Sequence, residues 1–281
     1  MGDSSTLTII IPVFTRLEHT KRFLAGCQEH IGDFEAIIVD DSPAREHAEL
    51  ENWPNVTVLY GNGNLWWGGS VNKGLRYLFE EKGVEEDSII ALANNDSEID
   101  KDTYASMKRS LDQHPTGFFH PRVFSLGSKK ELEDCGNLIS FGPVRCRYII
   151  NQSDELAPCD LVSGRFLMSY ARNFQNVGYM ASNLPHYGGD WDFSLRAKKL
   201  GLPTYIVKDS ICYVDEETSG NKELPKKSLR AMFQLALTDI KSPRNLRYKY
   251  QFIRNHNSWF KTVWFMVLET LKTGYILIVR L

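Results

Sequence analysis

The sequence predicts an α/β fold: a mixed, mainly parallel sheet flanked by helices, followed by a C-terminal helical appendage. Three observations carry that reading. The apolar stretches Thr8–Pro12, Phe34–Val39 and Ile89–Ala93 run without polar interruption, as strands buried on both faces do. Segments of helical spacing separate them, the alternation expected of βαβ units. Each stretch also ends in polar or glycine-rich residues. One edge of the sheet is therefore chemically dressed, where ligands of open α/β sheets gather.

In order, Thr8–Pro12 is a β-branched strand stopped by proline. Residues 17–30 place Leu17, Phe23, Leu24 and Cys27 on one helix side. Phe34–Val39 is a second strand, ending at Asp40-Asp41-Ser42, and Val56–Tyr60 a third, ending at Gly61-Asn62-Gly63-Asn64. A helix is expected from about Ser70 to Lys82, and the strand 89–93 ends at Asn94-Asn95-Asp96. Residues 100–114 read as a helix, 117–158 as short strands and turns, and 160–169 as a strand pair or strand-to-helix turn around Ser163-Gly164. A helix over Asp190–Leu200, with Trp191, Leu195 and Leu200 inward, is stopped by Gly201-Leu202-Pro203. Strands 204–208 and 210–214 follow.

With 281 residues, 42% of them hydrophobic and 24% charged, the chain suits one large domain with an appendage: residues 1–222, then 223–281. Gly220–Lys227 reads as the hinge. Five cysteines without CxxC spacing argue against a zinc site or disulfide framework and fit a reducing cytosol. Neither a signal-peptide pattern nor an uncharged run of bilayer length occurs, so a cytoplasmic location is expected. No nucleic-acid partner is expected. From Lys226 onward eleven Lys and Arg stand against Asp239 and Glu269, while the rest of the chain carries the balancing negative charge. Residues 228–240 and 245–272 have helical spacing, with Trp259, Phe260, Val263, Trp264, Val267, Leu268 and Leu271 near one face. Such a basic, aromatic helix suits an anionic membrane interface, and equally a homodimer or intramolecular packing face.

Two polar clusters bear chemistry. Asp96, where a buried strand leaves the core, suits a divalent cation carrying phosphates; Asp190 and Asp192 lie far downstream. Each has a plain structural reading as well, an Asx turn at 94–96 and a helix cap at 190.

In their order along the chain, Ile10-Ile11-Pro12-Val13-Phe14, Val39-Asp40-Asp41-Ser42, the Gly63–Gly74 stretch, Asn94-Asn95-Asp96 and Gly189-Asp190-Trp191-Asp192 before Leu195-Arg196 resemble the family 2 glycosyltransferases of GT-A (Rossmann-like) fold, from about Leu7 to Gly220. Gly-Asn-Leu-Trp-Trp-Gly-Gly-Ser-Val-Asn-Lys-Gly is similar to bacterial rhamnosyl- and galactofuranosyl-type transferases of surface polysaccharide synthesis.

The resemblance implies an inverting, metal-dependent transfer from a UDP or dTDP sugar to a glycan or polyprenyl-linked glycan, in capsule or O-antigen synthesis at the inner face of the plasma membrane. Pro12 and Phe14 would line the base pocket, Asp41 would meet the base imide, and Asp40 would fix that loop. Asn64, Trp67 and Asn72 would lie along a loop, Gly63–Asn72, wrapping ribose and diphosphate. Asn94 and Asn95 would complete the donor site, Asn94 standing where the family has an acid. Asp96 would hold Mg²⁺ or Mn²⁺, with Asp215 at the place of a common His. Asp190 would be the catalytic base, with Trp191 and Asp192 at the acceptor. The alternative is a non-catalytic nucleotide-sugar or glycan-binding module, because Asn94 and Asp215 replace expected ligands. A sugar nucleotidyltransferase would want a glycine-rich loop after the first strand, and Pro12–Arg16 has no glycine.

Overall fold

The computed structural model describes residues 6–132, 136–141, 145–148, 155–215, 240 and 245–279. Its strands are β1 (Leu7–Val13), β2 (Glu35–Asp40), β3 (Val56–Tyr60), β4 (Ile89–Leu92), β5 (Ser97–Ile99), β6 (Phe118–Ser125), β7 (Asn137–Ser140), β8 (Arg145–Tyr148), β9 (Leu156–Cys159), β10 (Leu167–Tyr170) and β11 (Thr204–Val214). The helices are α1 (Leu17–His30), α2 (Trp66–Arg76), α3 (Thr103–Gln113), α4 (Ala171–Val177), α5 (Gly189–Lys199), α6 (Leu246–His256) and α7 (Trp259–Val279).

One sheet runs in the order β3-β2-β1-β4-β10-β6-β11-β5, with β9 also on β11; β7 and β8 form a separate hairpin. Strands β1 to β4 are parallel, and β10 lies antiparallel to both β4 and β6. Strand order reverses at β1, whose neighbours are β2 and β4, so their carboxyl ends form the crevice where α/β sheets bind ligands.

β1 explains why the sheet is buried on both sides. Ile9 and Ile11 pack with Phe23, Leu24 and Cys27 of α1, whereas Ile10 packs with Val71 and Leu75 of α2. Alternate side chains thus enter different cores, and each fully buried Ile contributes about 1.5–3 kcal/mol. Gly74 lets α2 lie close, for a Cβ there would sit 2.6 Å from Ile10 Cγ2.

Several expectations need correction. The helix after β3 starts at Trp66 rather than Ser70, absorbing Gly68 and Gly69; its last turn, Tyr77–Lys82, is π-helical. Gly68 fits because it faces backbone: a side chain's first carbon would lie 3.3 Å from the Pro185 carbonyl oxygen and 3.4 Å from that of Leu184. Strands 204–208 and 210–214 are one strand, β11, with a bulge: Val207 pairs with Pro121, and Ile211 with the next residue, Arg122. Leu200, expected inward, is 57% exposed because α5 has ended at Lys199.

Gly220–Lys227 and the helix expected at 228–240 fall on residues almost wholly outside the described ones. The helix expected over 245–272 is two, α6 and α7, separated at Asn257-Ser258. Asn245 caps α6, its Oδ1 accepting from the Arg247 amide at 2.9 Å. α6 packs onto the main sheet's own helices: Phe252 and Ile253 join Leu161, Leu184 and Leu195 in one apolar cluster.

Candidate active site

Asp40 and Asp41 leave β2 and serve different loops. Asp40, fully buried, accepts from the amides of Ser42 at 2.8 Å and His47 at 3.1 Å. Burial pushes its carboxyl up, yet His47 and Ser42 outweigh that and hold it below the usual carboxylate range. Asp41 turns towards the loop after β3. Its Oδ1 accepts from the Gly63 amide at 2.7 Å, and its Oδ2 from Leu65 at 2.8 Å and Trp66 at 3.1 Å. Those are orphan donors at the start of α2, so Asp41 acts as a cap supplied from another element. This is why the stretch from Trp66 to Asn72 is helix, and the loop is confined to residues 61–65.

Other expected donor contacts are already engaged. Asn72 uses both ends of its amide on Met180, donating to the carbonyl at 2.9 Å and accepting from the amide at 2.7 Å. That pair locks α2 to the chain before α5. Trp67 donates Nε1–H to Asn94 Oδ1 at 2.9 Å and covers Gly164, where a Cβ would lie 2.0 Å from Trp67 Cζ2. Its indole thereby ties the start of α2 to the Asn94 turn. Asn95 donates to Thr20 Oγ1 at 3.0 Å, towards α1. Phe14, at the exit of β1, is 52% exposed; Pro12 is half-buried beside Val39 of β2, and Asn64 is exposed.

Asp96 is the polar centre of the crevice. Its Oδ1 is buried with no hydrogen-bond partner. Burial raises its carboxyl above the ordinary range, against the opposing charges of Arg165, Arg16 and His19. Pairing of β5 with β11 puts Asp215 alongside: its amide donates to the Asp96 carbonyl at 3.2 Å, and both residues line one small pocket with Asn95, Glu98 and His19. A buried carboxylate oxygen without a partner, beside a second carboxylate, fits a divalent cation. Among the described residues no cluster of three or more His, Cys, Asp or Glu converges, so the protein's share of such a shell is small. Mg²⁺ suits that, since it keeps waters and takes substrate phosphates.

Three non-glycine residues next to the strands and helix that frame the crevice have left-handed backbone: Arg16 after β1 (φ 71°), Trp66 at the start of α2 (φ 57°) and the buried Phe166 before β10 (φ 62°). Strain of this kind persists where surrounding structure over-determines it, and it gathers at ligand clamps. Arg16 and Arg165 were not among the sequence candidates. The antiparallel register of β10 with β4 sets the turn holding Arg165 beside the Asn94 turn, a proximity no local pattern signals.

Asp190 occupies the first turn of α5, after Gly188 in left-handed conformation (φ 82°). Its Oδ1 accepts from the Trp191 amide at 2.9 Å, and its carbonyl accepts from Ser194 Oγ at 2.7 Å. Ser194 Oγ also accepts from the Val162 amide at 3.4 Å, tying this turn to the segment that carries Gly164 and Arg165. Asp190 does not line the Asp96 pocket.

Asp192 is engaged within the protein. It is 1% exposed and accepts from Arg196 Nε at 2.8 Å, Asn255 Nδ2 at 2.7 Å and His256 Nε2 at 3.0 Å. Burial disfavours its charge, but those three donors hold the carboxyl down at about 2. It fastens α6 to α5. Trp191 is half-buried, edge-on to Phe252 of α6.

A curled, mainly parallel sheet with a carboxylate beyond β4 is the architecture of the GT-A glycosyltransferases. The model of the glycosyl transferase family 2 matches residues 8–152, just over half of the chain, and the protein belongs to that family. The fold is similar to that of GalNAc-T7 solved with UDP, GalNAc and Mn²⁺ (TM-score 0.61, 13% identity, 89% of this chain and 50% of that one). It is also similar to Staphylococcus aureus TarS residues 1–349 with UDP-GlcNAc (TM-score 0.56, 13% identity, 90% of this chain and 73% of that one). The chain spans about half the length of the first of these, and 44% of a longer TarS structure. No curated protein sequence matches it.

Proposed function

We propose that this protein is an inverting, metal-dependent glycosyltransferase, moving a sugar from a UDP or dTDP donor to a glycan or polyprenyl-linked glycan of bacterial capsule or O-antigen. The observation that carries the reading is Asp96, with a partnerless buried oxygen at the carboxyl end of β4 and Asp215 beside it. Family membership and the nucleotide-bound relatives support the donor class.

In this reading the nucleoside diphosphate lies across the carboxyl ends of β1 and β4. Phe14 packs on the base, and the loop fixed by Asp41 follows the ribose. Asp96 and Asp215 would hold Mg²⁺ or Mn²⁺, which when bound neutralises charge on the departing diphosphate. Arg16 and Arg165 add positive charge near the same oxygens. Asp190 accepts the proton of the acceptor hydroxyl as that oxygen attacks the anomeric carbon. The bond from that carbon to the diphosphate oxygen breaks on the opposite face, inverting the centre. A positioned base of this kind is worth about 10²–10⁴-fold in rate.

The acceptor's lipid carrier gives α7 a role. Trp259, Phe260, Val263, Trp264, Val267 and Leu271 are exposed on it, with Lys261 among them. Residues 245–279 carry five Lys or Arg against Glu269 alone, so an anionic lipid surface is the matching partner. Among the described residues no helix is long and apolar enough to cross a membrane, so contact would be peripheral.

The test is release of nucleoside diphosphate from UDP- and dTDP-sugars with Mn²⁺ and extracted lipid-linked glycans. Turnover lost in Asp190→Asn, with nucleotide affinity kept, supports the reading. Nucleotide binding indifferent to Mn²⁺ and no turnover would favour a binding module. For α7, flotation with anionic but not zwitterionic vesicles, abolished in Trp264→Glu, is expected; a concentration-dependent dimer without flotation would replace the membrane assignment.

A further inference from the structure

A polar chain, buried at its middle, runs beneath the crevice from the exit of β2 to the turn carrying Asp96. His47 is fully buried, and its Nδ1 lies 3.3 Å from Asp40 Oδ2. Its Nε2 lies 3.0 Å from Oγ1 of Thr20, also fully buried, and that oxygen is 3.0 Å from Asn95 Nδ2. Chemistry fixes the direction of each bond. Nδ1 makes no hydrogen bond to Asp40 Oδ2, the His47 backbone amide being its donor, but the adjacent carboxylate charge favours the tautomer protonated at Nδ1 and so leaves Nε2 as acceptor. The Thr20 hydroxyl must then donate to Nε2, which leaves its oxygen free to accept from Asn95. Asn95 is thereby oriented with its amide nitrogen inward, immediately before Asp96.

Resting on the glycosyltransferase reading, we infer that His47 and Thr20 are positioning residues for the metal-bearing turn, holding Asp96 through Asn95 and coupling it to the β2 exit that organises the nucleotide loop. Neither touches substrate. Their position explains why a polar pair persists where α1 is otherwise packed with Phe23, Leu24 and Cys27: a valine at 20 would fill the space equally well. It also accounts for two adjacent acids at the end of β2. Asp41 sets the loop at 61–65, and Asp40 anchors the chain to residues 95–96.

Outer partners of this kind usually change metal affinity by about 10–100-fold. The experiment is calorimetric titration of the full chain with UDP and dTDP, each with and without Mn²⁺. In Thr20→Val, affinity for the Mn²⁺-loaded nucleotide should fall about tenfold or more while that for the metal-free nucleotide is unchanged. Thr20→Ser, which keeps the hydroxyl, should restore it. His47→Phe breaks the chain from its other end and should give the same selective loss, deciding the matter if Thr20→Val does not fold. Equal loss with and without Mn²⁺, or no loss, in whichever variants fold overturns the inference. Wild-type protein that binds no nucleotide more tightly with Mn²⁺ would instead defeat the underlying functional reading.

Discussion

The Asp41 carboxylate accepts the Leu65 amide at 2.8 Å, so a residue at the end of β2 caps a helix that begins after β3. Two further amides, Gly63 and Trp66, share the same side chain. A local cap is typically worth about 1 kcal/mol, and buried amides left unpaired cost about 1–3 kcal/mol each.

Asp41→Ala should therefore destabilise the protein by roughly 2–4 kcal/mol. Asp41→Asn, which keeps one acceptor oxygen, should lose less. Chemical denaturation of both variants checks the order, and equal stability of Asp41→Ala and wild type would refute the capping role.

Asp96 should behave in the opposite sense. Its carboxyl is raised in the folded state, so the charged form is disfavoured there relative to the unfolded chain. Stability is thus lost as pH rises from the unfolded value through the folded one. Asp96→Asn removes that penalty, and at pH 7 without metal its Tm should exceed that of wild type. Mn²⁺-dependent nucleotide binding should vanish in the same variant. Differential scanning calorimetry with and without Mn²⁺-UDP measures both.

Acid should loosen α6 from α5. Asp192 has a depressed carboxyl, about 2 against an ordinary 3.8. Its contribution is complete above pH 4 or so and is lost as pH falls towards 2, on the order of 2 kcal/mol. Asp192→Asn should flatten the acid limb of stability against pH, and an unchanged limb would contradict the assignment.

Gly164→Ala tests the support of Asn94. An added Cβ would meet the Trp67 indole at 2.0 Å, too close for either to remain. Displacing the ring breaks the Trp67–Asn94 hydrogen bond and should cost about 1–3 kcal/mol. A shifted tryptophan emission maximum, together with weaker nucleotide binding, is the expected signature.

These residues also mark how far the sequence could be read. β1 to β4 were legible because continuous apolar runs between turn residues have few other uses, and Asp96 because it follows such a run. The start of α2 was not, since its cap lies twenty-four residues upstream and makes Gly68 and Gly69 look like loop. The structural partners of Asn72 and most of those of Asp192 were not legible either, since Met180 lies 108 residues from Asn72, and Asn255 and His256 lie more than 60 from Asp192; Arg196, four residues on, is the exception. An isolated polar residue near a motif says nothing of which distant group will satisfy it. Only the fold supplies the pairing.

The irregularity in β11 has a consequence for how this enzyme family member can change. Residues 204–207 are held by β9 and the first half of β6, while 211–214 are held by β5 and the second half of β6. Lys208, Asp209 and Ser210 bridge the two halves without a partner residue in β6. The register that sets Asp215 abreast of Asp96 is thus fixed by β5 and the second half of β6, separately from the pairing of residues 204–207. The irregular segment therefore works as an expansion joint between the body of the sheet and the edge that carries Asp215.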